Sequence, residues 1–237
     1  MTYVMSDIHG RYDKYKAMLE KINFSVEDKL YILGDIIDRG PDGFKILLDA
    51  ASRSNVFTQL GNHEVMAIDA LPHALNSIRS IDKEDFAPID NDAVDLWFDN
   101  GGEISLLDFL LLSVDKAQAA WEYLLSMPLY REIVVGDRTF VLLHGGLEGF
   151  SPERALEDYE VDEIVWCRPK ADTVYFPNKY VVLGHTPTQL LYAENGEPAH
   201  PARIFHAETF IDIDCGCVFP RGRLACLCLD TMEKFYI

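Results

Sequence analysis

No stretch of the 237-residue chain approaches the roughly 18 consecutive apolar positions that a membrane-spanning helix needs; the longest candidate, Ile104 to Val114, is broken by Asp108. Membrane insertion is therefore not expected. A basic leader is also missing, since Met1 runs directly into Tyr3-Val4-Met5 and Ser6-Asp7, and a cytoplasmic location is the expectation. Nor is there an even set of cysteines: Cys167, Cys215, Cys217, Cys226 and Cys228 fit reduced thiols better than a disulfide framework. The two Cys-x-Cys pairs lie in apolar stretches where alternate residues share a strand face, so buried thiols are expected there ahead of a zinc site. Positive charge is scarce. With 21 Lys and Arg against 39 Asp and Glu, a net charge of −18 and no basic run, nucleic acid is excluded as a partner. A small phosphate group stays open, because two divalent ions bring a local charge of about +4 into a cleft whatever the global charge.

What is present is ordinary for a globular protein, with 49% hydrophobic and 25% charged residues. No repeat, low-complexity tract or linker divides the chain, and a single domain over residues 1–237 is expected. Five times a short apolar segment runs straight into a polar turn. Tyr3-Val4-Met5 precedes Asp7-Ile8-His9-Gly10, and Leu30-Tyr31-Ile32-Leu33 precedes Gly34-Asp35. Val56-Phe57-Thr58-Gln59-Leu60 leads to Gly61-Asn62-His63-Glu64, Phe140-Val141-Leu142-Leu143 to His144-Gly145-Gly146, and Tyr180-Val181-Val182-Leu183 to Gly184-His185-Thr186. Buried strands ending in such turns gather their polar residues at one sheet edge, where ligands bind in α/β proteins.

Helices are expected over Tyr12 to Lys21 and, after Pro41, over Gly43 to Ala51. The segment from about 64 to 127 lacks strand signals and carries helix-like runs at Val65–Ala70, Asp92–Phe98 and Lys116–Leu125, so it reads as a helical insertion flanking the site. Phe210–Ile213 and Leu224–Leu229 read as strands joined through Pro220-Arg221-Gly222-Arg223, a closing hairpin.

Asp7, His9, Asp35, Asn62, His144 and His185 offer only oxygen and imidazole nitrogen, a donor set suited to manganese, iron or zinc. They stand at five separate strand ends, and Asp35 has two oxygens with which to bridge two ions. Each motif alone is common; their joint occurrence is not.

In these blocks, with Gly34-Asp35-Ile36-Ile37-Asp38-Arg39-Gly40 and the tail Ile213-Asp214-Cys215-Gly216-Cys217-Val218-Phe219, the chain resembles the phosphoprotein phosphatase family of dinuclear metallophosphatases. The resemblance implies an α/β fold, a calcineurin-like β-sandwich flanked by helices with its metal site at the strand C-terminal ends. It implies that the six residues hold two divalent ions, manganese or iron with zinc as a further choice, and that His144, His185 and Asn62 share one of them.

Two such ions would lower the pKa of a shared water and so supply hydroxide for in-line attack on phosphorus. His63 then serves as the general acid, oriented by Asp38, while Arg39 holds two phosphate oxygens. Arg168, in Trp166-Cys167-Arg168-Pro169, resembles a second phosphate-binding arginine of bacterial and phage members, with a plain surface role as the alternative. Cys167 beside it leaves oxidation sensitivity open. Glu64 is expected to start a helix and favour its dipole, with a supporting hydrogen bond to the site. His73, His200 and His206 match no ligand position. Asn100-Gly101-Gly102 resembles a loop bordering the substrate cleft in bacterial protein phosphatases.

The implied reaction is hydrolysis of phosphomonoesters, first of all phosphoserine and phosphothreonine in proteins. Symmetrical diadenosine tetraphosphate hydrolysis is the close alternative, because that branch shares the motifs. A catalytically silent scaffold that binds phosphoproteins is the alternative of another class. The partner is thus a phosphorylated protein or a small phosphoester.

Overall fold

Strand residues that alternate in direction need two apolar partners, and here the central strands find a second sheet on one face and helices on the other. The computed structural model describes residues 1–80 and 91–237. The chain opens with β1 (Thr2–Met5), α1 (Tyr12–Lys21), β2 (Lys29–Ile32), α2 (Gly43–Ala51), β3 (Val56–Thr58) and α3 (Asn62–Ser80). It continues through α4 (Asn91–Asp99), α5 (Glu103–Leu110), α6 (Val114–Leu125), β4 (Arg131–Val135), β5 (Arg138–Leu142) and α7 (Val161–Val165). The last elements are β6 (Tyr180–Leu183), α8 (Thr188–Glu194), β7 (Phe205–His206), β8 (Phe210–Asp212), β9 (Ala225–Cys228) and β10 (Lys234–Tyr236).

One sheet runs β10-β9-β1-β2-β3 and the other β4-β5-β6-β8-β7. Strands β1, β2 and β3 are parallel, with β9 antiparallel to β1 and β10 to β9. In the second sheet β5, β6 and β8 are parallel, and β4 and β7 run antiparallel at its edges. Val4, Tyr31, Leu33 and Leu227 of the first sheet meet Phe140, Leu142, Val182 and Ile211 of the second in a core between the sheets. Their neighbours Tyr3, Met5, Leu30 and Ile32 point the other way, among apolar residues of α1, α2, α3 and α6. On the far side Val141, Leu143, Val181 and Leu183 pack with Ile164, Val165 and Leu191 of α7 and α8. The layers are helix, sheet, sheet, helix, which bears out the expected α/β sandwich. Helix α1 shows the local logic: Tyr15, Met18 and Leu19 recur at helical spacing and are the residues it buries.

The expected helices at Val65–Ala70, Asp92–Phe98 and Lys116–Leu125 are α3, α4 and α6, and residues 81–90 of the expected insertion lie outside the described residues. The broken run from Ile104 holds α5. The closing hairpin is corrected. Strand β8 pairs with β6 and β7 in one sheet, whereas β9 pairs with β1 and β10 in the other, so the turn between them carries the chain across the sandwich. All five cysteines are free and buried, and no helix among the described residues is long and apolar enough to cross a membrane.

Candidate metal centre

Asp7 and His9 follow β1, Asp35 follows β2, Asn62 opens α3 after β3, His144 follows β5 and His185 follows β6. All six are buried. Four of the six sit in strained turns: Asp7, His9, Asp35 and His185 have φ of 52°, 47°, 53° and 66°, and Asp38 and Arg39 join them at 67° and 66°. Among the described residues only Asn23, Arg221 and Met232 share this left-handed state without being glycine. The surroundings must hold it, because it is costly for a residue with a side chain. Backbone bonds do so: His9 N donates to Asp35 O at 2.9 Å and Gly10 N to Ile36 O at 2.7 Å, stitching the β1 loop to the β2 loop. Two glycines leave the room the side chains need. A methyl at Gly61 would overlap Asp35 Oδ1, and one at Gly184 would overlap Asp7 Oδ2.

The side chains form two groups, His9–Asp35–His63 and Asp35–His144–His185, in each of which the candidate ligand atoms lie within 4.8 Å of one another. Asp35 belongs to both. His144 Nδ1 lies 2.7 Å from Leu33 O and His9 Nδ1 3.0 Å from Ile37 O. A carbonyl accepts, so each Nδ1 carries a proton, and each Nε2 is turned inward. His144 Nε2 then stands 3.2 Å from Asp35 Oδ1 and 3.1 Å from Asn62 Oδ1. Asp7 falls outside both groups, its oxygens accepting His185 N–H at 3.2 and 3.0 Å.

Electrostatics point the same way. Burial pushes Asp7 up to about 6, helped by the like charge of Asp35. Burial takes His9 down to about 3 and, with His144 beside it, His185 down to about 2, so both are neutral imidazoles. For His144 burial is outweighed by Asp35, which raises it to about 9. Burial would raise Asp35 too, but the charges of His144 and His63 hold it well below the usual carboxylate range. A divalent ion beside Asp35 would displace the proton that His144 Nε2 turns towards it at 3.2 Å, as metal binding to histidine and carboxylate generally does. The Nε2 atom of His185 is buried without a hydrogen-bond partner, and a lone pair stranded so is what an ion would satisfy. The donors present thus fit two divalent ions that share Asp35.

His63 Nδ1 lies 2.6 Å from Asp38 Oδ2, and its Nε2 3.8 Å from Asp35 Oδ2. Burial lowers His63, but Asp35 and Asp38 together raise it above its ordinary value. Half-buried Arg39 reaches in, with Nη1 2.9 Å from His9 Nε2. Arg168 is exposed, yet its Nη1 donates to the His185 carbonyl at 2.8 Å, so it is tied to a ligand-bearing turn and is not a loose surface group. Burial pushes Cys167 up to about 12, which leaves it a thiol at neutral pH and argues against the oxidation-sensitive reading.

Sequence reasoning undervalued Glu64. It does open a helix, but its buried carboxylate also accepts N–H bonds from Gly61, Asp35 and Ile36 at 2.8 Å each and from Ile37 at 3.3 Å. Buried Asp212 and Asp214 were missed altogether. Asp212 Oδ1 accepts Asp214 N–H at 2.9 Å, and burial raises both carboxyls well above the usual range. Their Asp-x-Asp alternation at the end of β8, a sixth parallel strand pointing to the same edge, was the available signal.

The likeness to curated relatives is strong over a short stretch and weaker over the whole chain. One symmetrical bis(5'-nucleosyl)-tetraphosphatase, from Wigglesworthia glossinidia brevipalpis, is 48% identical over 65 residues, 27% of this chain and 24% of the relative. A protein of the same name from Baumannia cicadellinicola subsp. Homalodisca coagulata is 25% identical over 240 residues, 98% of this chain and 69% of the relative. In the first of these the chain thus matches about a quarter of the relative's length. Among solved structures, a candidate diadenosine tetraphosphatase superposes over 100% of this chain and 92% of its own with a TM-score of 0.67 at 18% identity. A protein serine/threonine phosphatase from Saccharomyces cerevisiae covers 95% of this chain and 71% of its own, with a TM-score of 0.56 at 14% identity. These superpositions concern the fold alone. The model of the calcineurin-like phosphoesterases matches residues 2–204, and with most of its length accounted for in this way, the chain belongs to the calcineurin-like phosphoesterase family.

Proposed function

We propose that the chain is a dinuclear metal-dependent phosphoester hydrolase acting on phosphomonoesters, with phosphoserine and phosphothreonine of proteins as its substrates. The observation that carries this is the sharing of Asp35 between two buried groups, one of which contains His63 with its Nδ1 on Asp38. Asp7, His9 and Asp35 would hold one divalent ion, and Asp35, Asn62, His144 and His185 the other, with manganese or iron best suited to these donors. When bound, two such ions supply positive charge and an activated water for in-line attack on phosphorus. Arg39 and Arg168 orient the phosphoryl oxygens by charge-assisted hydrogen bonds. As the bond from phosphorus to the leaving oxygen breaks, His63 gives its Nε2 proton to that oxygen, while Asp38 keeps hold of the Nδ1 proton.

A groove of about 420 Å³ beside the centre bears on the leaving group. Val65, Met66, Leu96 and Trp166 line it together with Asp69 and Asp162, and the Trp166 ring stands edge-on to His185 at 6.0 Å. Carboxylates there repel a polyphosphate and suit a neutral or basic side chain next to a phosphoresidue. The second reading, symmetrical cleavage of diadenosine tetraphosphate, is favoured by the names of the curated relatives, one of which matches 98% of this chain. Both readings take residues 1–237 as one domain with the helical segment 64–127 inserted at the mouth of the site. Five free cysteines support a reducing compartment such as the cytoplasm.

The test is to strip bound metal and assay p-nitrophenyl phosphate, a phosphothreonine peptide and diadenosine tetraphosphate with manganese, iron, zinc or magnesium added back. Recovery on the peptide by manganese or iron is the expected result. Recovery on the dinucleotide alone moves the assignment to the second reading. Ions that bind without restoring any hydrolysis leave the silent scaffold.

A further inference from the structure

The segment from α4 to α5 grips the turn that holds the proposed acid pair, at three points. Trp97 Nε1 donates to both oxygens of Asp38, at 3.1 and 2.9 Å. Asp38 N donates to Ser105 Oγ at 2.8 Å, and Arg39 N donates to Gly101 O at 3.1 Å. Trp97, Ser105 and Asp38 are all buried. Gly102 of the Asn100-Gly101-Gly102 loop lies flat against the indole, where a methyl would overlap the ring, so this glycine seats the tryptophan.

We propose that Trp97 is a positioning residue for proton transfer: its indole N–H fixes the plane of the Asp38 carboxylate, and through it the direction of His63 Nε2. A buried tryptophan needs some partner for its N–H, and a backbone carbonyl would serve. Here the partner is a fully buried carboxylate whose other side-chain contact is His63 Nδ1 at 2.6 Å. With φ of 67° at Asp38, the turn is not one the backbone prefers, and a carboxylate free to rotate about its χ angles would let the imidazole swing. Trp97 Nε1 spans both oxygens of the carboxylate while His63 Nδ1 meets Oδ2, so the group cannot turn without losing a bond to one of them. The helical segment therefore reaches the chemistry without touching substrate.

The proposal rests on His63 being the acid, and leaving groups of different acidity separate the two ideas. Phenyl phosphate and a phosphothreonine peptide expel poor leaving groups that need a proton, whereas 2,4-dinitrophenyl phosphate does not. Trp97→Phe keeps the ring and removes the N–H. Its expected effect is a kcat lowered on the order of tenfold to a hundredfold on the poor leaving groups, part of the ~10²–10⁴ that a general acid contributes, with KM, metal content and 2,4-dinitrophenyl phosphate hydrolysis unchanged. In a His63→Asn background Trp97→Phe adds nothing. Equal loss on all three substrates, or none, overturns the proposal, since a purely structural role does not sort leaving groups. If His63→Asn itself fails to sort them, the acid assignment falls and this inference with it. If His63→Asn sorts them and Trp97→Phe does not, only the inference falls. Should Trp97→Phe fold poorly, Ser105→Ala, which removes the acceptor for Asp38 N–H, must show the same selectivity at smaller size.

Discussion

The two sheets contribute to the centre in different ways. The first-sheet side is bound to itself: Glu64 takes four N–H bonds from the turns around Asp35 and Asn62, and His9 leans on the Ile37 carbonyl. The second-sheet side is hung on the first. His144 is oriented by Leu33 O, and His185 N–H points at the Asp7 carboxylate. One side is a frame and the other is clasped to it, so damage to the frame should spread while damage to the clasp stays local.

The sharpest break is at the shared ligand. Asp35→Asn should cost both ions and reduce hydrolysis to background, whereas His185→Ala should cost one, as read by metal analysis of the purified proteins. A variant at Asp35 that keeps both ions would end the idea of a shared ligand. Next is His63→Asn, expected to lower kcat by about 10²–10⁴ with metal content intact; an unchanged kcat removes His63 from the mechanism. Glu64→Gln replaces two acceptor lone pairs with an NH2 facing backbone N–H groups. It should loosen metal about 10- to 100-fold and cost about 2–4 kcal/mol in urea unfolding. Wild-type values on both counts would mean that the frame does not depend on Glu64. The smallest effect is expected across the seam, where Gln59 Nε2 donates to Leu142 O at 3.1 Å while its Oε1 is buried without a partner. Losing one bond and one orphan together, Gln59→Leu should change stability by no more than about 1 kcal/mol and leave hydrolysis near wild type. A large loss there would show that the sheets are held together by more than apolar contact.

The strand ends were readable because each apolar run stops at residues that belong in a turn, and because Asp, His and Asn at those stops form one chemical set. What escaped depends on distance along the chain. Glu64 looked like a helix-start residue because its helix is local, while three of its four bonds come from residues 35–37. Trp97 meets Asp38 across 59 residues, a separation no spacing rule spans. The hairpin error has a related cause: alternation gives the face a strand buries, not the sheet it joins, and Pro220 to Gly222 makes a turn whether or not the chain then changes sheets. Strand β4 was not among the expected strands: it is an edge strand with Glu132 and Val134 exposed, and it ends in no polar turn that carries a ligand.

The left-handed turns set stability against activity. At about 1 kcal/mol or more each, the six non-glycine residues held at positive φ around the centre carry strain of the same order as the ~5–15 kcal/mol net stability of a typical domain. A population of variants screened for heat resistance alone should drift towards glycine at Asp38, Arg39 and His185, gaining stability as it loses turnover. Screened for turnover, the same population should hold those side chains and gather its stabilising changes elsewhere, in the core between the sheets and under the outer helices.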